Sequence, residues 1–176
     1  MGFYSAPTFS DLDGDGDDDL VVGENDGILY YFENIGSSSN PNIQEAEFYN
    51  PFYEFSLNEF RSTIGTISDL DGDGDYDLVV GVENGNLLVF DNNGNSSNPS
   101  FVYSSSKTDS LQFDEKKFNQ APFLVDINGD NDTDLISGNE DGELTFFKNN
   151  GNYTHSSFLQ VVGNENYFDE IDVGKL

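Results

Sequence analysis

An Asp-rich segment recurs three times along the chain, and this repeat limits what it can fold into. DLDGDGDDDLVVG starts at Asp11, DLDGDGDYDLVVG at Asp69 and DINGDNDTDLISG at Asp126, spacings of 58 and 57 residues. The likeness extends to both sides. A Gly-led apolar stretch follows each copy: GILYYFENIG from Gly27, GNLLVFDNNG from Gly85 and GELTFFKNNG from Gly142. A short lead, APTFS, IGTIS or APFLV, precedes each one. A fixed period of this length marks a repeat architecture, in which each unit buries its faces against its neighbours.

Within one period the elements read as strands. Leu20-Val21-Val22, Leu78-Val79-Val80 and Leu135-Ile136 are short, rich in branched residues and followed by Gly. The next strand is typified by Leu87-Leu88-Val89-Phe90, and a fourth apolar patch falls at Phe48-Tyr49, Phe101-Val102-Tyr103 and Phe158-Leu159. No stretch sustains a helical period, and Gly and Asn are too frequent for long helices. The expected fold is all-β: three four-stranded antiparallel meanders, stacked radially as β-propeller-type blades. They divide one segment, 1–176, into blades at about 1–58, 59–115 and 116–176. Ala6-Pro7-Thr8-Phe9 is a lead strand, and Phe168 to Gly174 matches the point just before a new one, so three periods lie in phase. Propellers typically have about four to eight blades. Two readings follow: two chains join head to tail into a six-bladed ring, or the chain belongs to a longer propeller.

The Asp segments carry the chemistry. Counted from the first Asp, positions 1, 3, 5, 7 and 9 are Asp11, Asp13, Asp15, Asp17 and Asp19 in the first loop. They are Asp69, Asp71, Asp73, Asp75 and Asp77 in the second, and Asp126, Asn128, Asp130, Asp132 and Asp134 in the third. Alternate residues of a tight loop can face one centre. Gly16 and Gly74 at position 6 permit the left-handed turn, and Asn131 is the next most tolerant residue there. Calcium takes about six to eight oxygen ligands, and clustered carboxylates repel strongly without a cation. Position 7 is expected to offer its backbone carbonyl and position 9 to close the shell. An EF-hand needs a Glu at position 12 and a helix after it, but Val22, Val80 and Ser137 stand there and a strand follows. Magnesium prefers a smaller octahedral shell, and zinc lacks ligands in a chain with no Cys and one His. Three calcium ions are expected, one per repeat.

Charge narrows the partners. The chain has 34 Asp plus Glu against 6 Lys plus Arg, a formal charge of −28. That balance opposes binding to nucleic acid and to anionic membranes. Disorder is excluded by 16 Phe and 9 Tyr gathered in strand-like clusters. No apolar run approaches the roughly 18 residues of a membrane span, so no membrane insertion is expected. Met1-Gly2-Phe3-Tyr4 has neither a basic nor an apolar leader region, so no signal peptide is read in this chain. His155, in a polar loop, reads as a surface residue, and no Ser- or Cys-centred nucleophile motif is visible, so no catalytic residue and no enzyme activity are expected. Lys107, Lys116 and Lys117 with Asp109, Asp114 and Glu115 read as a solvated mixed-charge loop. Tyr30, Tyr31, Phe32, Phe90, Phe146 and Phe147 read as packing between blades. Tyr49, Tyr53, Tyr103 and Tyr153 stand nearer loops, as sugar-stacking candidates. Asn95 and Asn152 fit the N-glycosylation pattern.

The pattern D-x-D-G-D-G-x-x-D-L-V-V-G, then G-x-L-x-x-F-x-N-x-G, resembles the FG-GAP or VCBS repeat of calcium-bearing blades in integrin α-subunit propellers. The resemblance spans essentially the whole chain through three copies, with departures at Asn128 and Asn131. It implies that each loop joins the first and second strands of a blade and holds calcium, mainly in a structural role. It further implies an extracellular or cell-surface module for adhesion, recognition or assembly, with self-association or a protein partner. A carbohydrate-binding lectin propeller, with a glycan ligand, is one alternative. A non-catalytic part of a larger secreted enzyme is another, because fold does not choose among functions.

Overall fold

The computed structural model describes residues 5–46, 50–53, 61, 64–113, 117–152, 154–169, 171 and 173–174. The strands are β1 (Ala6–Ser10), β2 (Asp19–Gly23), β3 (Leu29–Asn34), β4 (Ile43–Glu45), β5 (Ile64–Ser68), β6 (Asp77–Gly81), β7 (Leu87–Asn92), β8 (Phe101–Tyr103), β9 (Ala121–Val125), β10 (Asp134–Gly138), β11 (Leu144–Asn149) and β12 (Phe158–Val161). They form three four-stranded antiparallel sheets, β1-β2-β3-β4, β5-β6-β7-β8 and β9-β10-β11-β12, each a simple meander. The register repeats with the sequence: Ser10 faces Asp19, Ser68 faces Asp77 and Val125 faces Asp134, so each Asp loop closes a β1-β2-type hairpin.

The second sheet is the centre of the molecule. Its side chains alternate between two cores, as the strand period of two requires. Leu78, Val80, Leu88 and Phe90 pack with Val21, Leu29 and Tyr31 of the first sheet. Val79, Leu87 and Val89 pack with Leu135, Phe147 and Phe158 of the third. This explains why LVV and LLVF are continuous apolar runs: a strand covered on both faces has no polar side. Contacts between sheets fall mainly at the first strands, where β1 lies beside β5 and β5 beside β9. Leu124 N–H of β9 donates to Thr66 Oγ1 of β5 at 3.4 Å across that seam.

The outer sheets differ. On the first, Leu20, Val22, Tyr30 and Phe32 are half-buried and Phe9 is 61% exposed. On the third, Phe146 is buried under Tyr167 and Phe168, whose ring centroids stand 5.6 and 6.0 Å away. Val173 N–H reaches Gly142 O at 3.0 Å. Asn119, just before β9, likewise reaches Glu83 O, so the C-terminal stretch sits where a further lead would begin.

Two expectations are corrected. The fourth strand of the first repeat is Ile43–Glu45, not the patch at Phe48-Tyr49, which lies outside the described residues. Pairing sets it: Asn34 faces Ile43 as Asn92 faces Phe101 and Asn149 faces Phe158, a constant nine-residue reach. The second correction is a short helix, α1 (Ser105–Ser110), in the stretch read as solvated loop. Thr108 Oγ1 accepts from Val89 N–H at 2.9 Å and Leu111 is buried, which fixes the helix to β7. No helix among the described residues is long and apolar enough to cross a membrane.

Candidate metal centres

Each Asp loop is tied by the same hydrogen bonds from its own backbone. The position 1 carboxylate bridges positions 4 and 6: Asp11 accepts from Gly14 (2.8 Å) and Gly16 (3.1 Å), Asp69 from Gly72 (2.6 Å) and Gly74 (3.2 Å), and Asp126 from Gly129 (2.7 Å) and Asn131 (3.0 Å). Position 5 accepts from the position 7 N–H: Asp15 from Asp17, Asp73 from Asp75 and Asp130 from Asp132, at 3.0 to 3.1 Å. Such Asx turns wind the chain tightly and demand positive φ. Gly16 has φ 96°, Gly74 has 92°, and Asn131 adopts 69° in the third copy, as its local hydrogen bonding allows.

Position 9 anchors the loop to the sheet. Asp19, Asp77 and Asp134 are almost fully buried. Their Oδ1 atoms accept from the N–H of Asn34, Asn92 and Asn149, each at 2.8 Å. Oδ2 of Asp19 and Asp77 accepts from Leu12 and Leu70 N–H at 3.1 and 3.0 Å, and Tyr31 also donates to Asp19 Oδ2 at 2.9 Å. The same Asn side chains then hold the next hairpin loop: Asn92 Oδ1 accepts from Gly94 (3.0 Å) and Ser100 (2.8 Å). Asn34 and Asn149 repeat this. The sequence reading assigned these Asn no role, although the F-x-N-x-G spacing marks all three.

Carboxylates converge in two of the loops. One oxygen each of Asp11, Asp13 and Asp15 lies within 4.8 Å of the others, and so do those of Asp69, Asp71 and Asp77. Among the described residues no such trio forms in the third loop, where Asn128 Nδ2 donates to Asp134 Oδ2 at 3.2 Å. Asp126, Asn128 and Asp130 are exposed and Asp132 is half-buried. At position 7 the side chain itself turns inward. Asp17 and Asp75 are 8% and 7% exposed, and an Oδ1 of each is buried without a hydrogen bond from the protein. Burial, then neighbouring carboxylates, raises these acids. Asp13 is pushed up to about 6 by burial and Asp19, and Asp75 to about 6 by burial and Asp73. Asp17 rises for the same reasons, with Asp15 its chief neighbour. Burial drives Asp77 up to about 7 even though Asn92 N–H, Lys107 and Leu70 N–H favour its charge, and burial raises Asp134 also. A hard divalent cation suits these donors: oxygen only, anionic, held close, with two buried oxygens short of a partner.

Other candidates fall where the fold puts them. His155 is exposed in its loop, with Nδ1 3.0 Å from Thr154 Oγ1. Tyr31, Phe90, Phe146 and Phe147 are buried, and Tyr30 and Phe32 half-buried. Tyr53 and Tyr103 are exposed, while Tyr49 and Tyr153 lie outside the described residues. Tyr103 borders a cleft of about 380 Å³ with Asn86, Thr108, Asp109 and Gln112. Helix α1 builds one wall of it, and a second cleft of about 340 Å³ lies on the third sheet between Phe146, Lys148, Val161, Glu165 and Tyr167. Asn95 and Asn152 are exposed. The basic stretch is not a solvated loop where it is described. Lys107 lies against Asp71, Asp77 and Asp91, and Lys117 lies 3.2 Å from Asp141 and 3.5 Å from Glu143. Lys116, Asp114 and Glu115 lie outside the described residues. No protein-family model matches the chain, and no curated protein matches it.

Proposed function

We propose that this chain is a calcium-binding module of the FG-GAP or VCBS type, whose three sheets are propeller blades serving extracellular adhesion, recognition or assembly. One observation carries the calcium reading. The same backbone-wound loop closes the same hairpin in all three sheets, and in two of them a trio of carboxylates converges beside a buried, donor-less oxygen. Asp11, Asp13, Asp15 and Asp17 would hold an ion in the first loop, Asp69, Asp71, Asp73 and Asp75 in the second, and Asp126, Asn128, Asp130 and Asp132 in the third. Position 9 anchors the loop through backbone N–H groups, and in the second loop Asp77 would also offer an oxygen to the ion beside Asp69 and Asp71. The ion neutralises charge at a corner between two strands, so its role is stability rather than catalysis.

The blade reading is supported by the simple meanders, the neighbouring first strands and the central sheet buried on both faces. A half-buried apolar face on the first sheet supports head-to-tail association of two chains into a closed ring. Melting the protein in chelator and in millimolar calcium tests the metal. The reading expects a markedly higher Tm with calcium, and identical curves would remove it.

A further inference from the structure

The three loops share a backbone but not a charge environment. Fourteen residues past the position 9 Asp, on the strand beside each loop, stand Glu33, Asp91 and Lys148 in turn. Glu33 adds a negative charge near Asp13. In the second sheet, Asp91 is met by Lys107 of α1; among the described residues the first repeat has no helix after its fourth strand and the third has only a 3-10 turn, Gly163–Glu165, with no lysine in it. The Lys107 Nζ lies 2.8 Å from Asp91 Oδ1, 3.8 Å from Asp71 Oδ2 and 3.9 Å from Asp77 Oδ2. Two of those three acids belong to the converging trio of the second loop. The lysine side chain is 14% exposed, and Thr108 and Leu111, one and four residues after it, fasten the helix to the core. The ammonium is therefore delivered to the carboxylates by the fold.

We propose that Lys107 is the built-in cation of the second loop, holding Asp71, Asp77 and Asp91 together without metal and competing with calcium for Asp71 and Asp77. The inference rests on the calcium reading above and adds a ranking to it. An ammonium that stays beside a dication repels it, and one that leaves gives up its ion pairs. Either way the second loop binds calcium more weakly than the first, which has no such lysine beside it among the described residues. At separations of a few ångströms, the lost attraction amounts to at least about tenfold in affinity. When calcium is removed, Lys107 still offsets part of the negative charge of the second loop.

A calcium titration followed by ¹H–¹⁵N NMR reads each loop separately. Gly14 and Gly16 report the first, Gly72 and Gly74 the second, Gly129 and Asn131 the third. In the native protein the first loop should saturate before the second. In Lys107→Met the second-loop midpoint should fall by about tenfold or more, while the first-loop midpoint stays put. Lys107→Arg, which keeps the positive charge, should remain near the native value. Unchanged second-loop midpoints in Lys107→Met, with the first loop binding normally, would overturn the proposal and leave the calcium reading intact. No shift in any loop would instead remove the calcium reading, and the ranking with it. The native protein provides a check that needs no variant. The Lys107 side-chain resonances should move in step with Gly72 and Gly74, and their constancy through that transition would contradict the competition.

Discussion

Within one loop, opposite demands fall on neighbouring residues. Asp73 accepts the Asp75 N–H at 3.1 Å and also offers charge to the proposed ion. Asp73→Asn keeps the turn and removes the charge. Metal-free stability should change by less than about 0.5 kcal/mol, whereas the calcium-loaded form should lose about 1–3 kcal/mol, as paired denaturant titrations would measure. Gly74 has φ 92° and open space around it, so Gly74→Ala meets no clash and isolates the conformational cost. That cost should be about 1–2 kcal/mol, with or without calcium. The raised carboxyls give a pH signature. Asp13, Asp75 and Asp77 titrate near 6, 6 and 7 in the metal-free fold against 3.8 ordinarily. The folded state therefore holds protons that the unfolded chain has shed, and stability is present at low pH and lost as pH rises through those values. In chelator, Tm should be higher near pH 5 than near pH 8, and the increment given by calcium should grow over the same range. A metal-free Tm that climbed with pH would contradict this.

Each hairpin rests on an Asp–Asn relay whose reach is legible only once the strands are paired. Asp77 holds the Asn92 N–H, and the Asn92 side chain holds Gly94 and Ser100. Asn92→Ala leaves two loop N–H groups without their acceptor, and it should cost about 1–3 kcal/mol, read as a lower midpoint in urea. The Asp loops, their period and the strands around them were visible in the sequence because each depends on residues adjacent in the chain. Asn131 was foreseen at position 6 for the same reason, and it takes the left-handed turn there. The Asn relay was present in the repeat but silent, since its partner lies fifteen residues upstream. The strand at Ile43–Glu45 was missed because all three of its residues are exposed, so no apolar run marks it. Among the described residues, the α-helix after a fourth strand and the placement of Lys107 occur once. A feature without a second copy has no periodic signal, and its partners Asp71, Asp77 and Asp91 are distant in sequence.

For the whole molecule, a large negative charge is set against two modest cores that share the central sheet. Calcium in the three corners would cut the formal charge from −28 and stabilise the fold by about 2.7 kcal/mol per site at one hundred times the dissociation constant. The half-buried outer face of the first sheet calls for cover, and a second chain provides it in the closed-ring reading. Light scattering in calcium should then return twice the chain mass, and a stable monomer at high concentration would count against the ring. The metal content itself tests the account most directly. After equilibrium dialysis of the folded protein against millimolar calcium with magnesium in excess, elemental analysis should find three calcium ions per chain. A well-folded sample that retained none would contradict the claim that a dication holds these acidic corners.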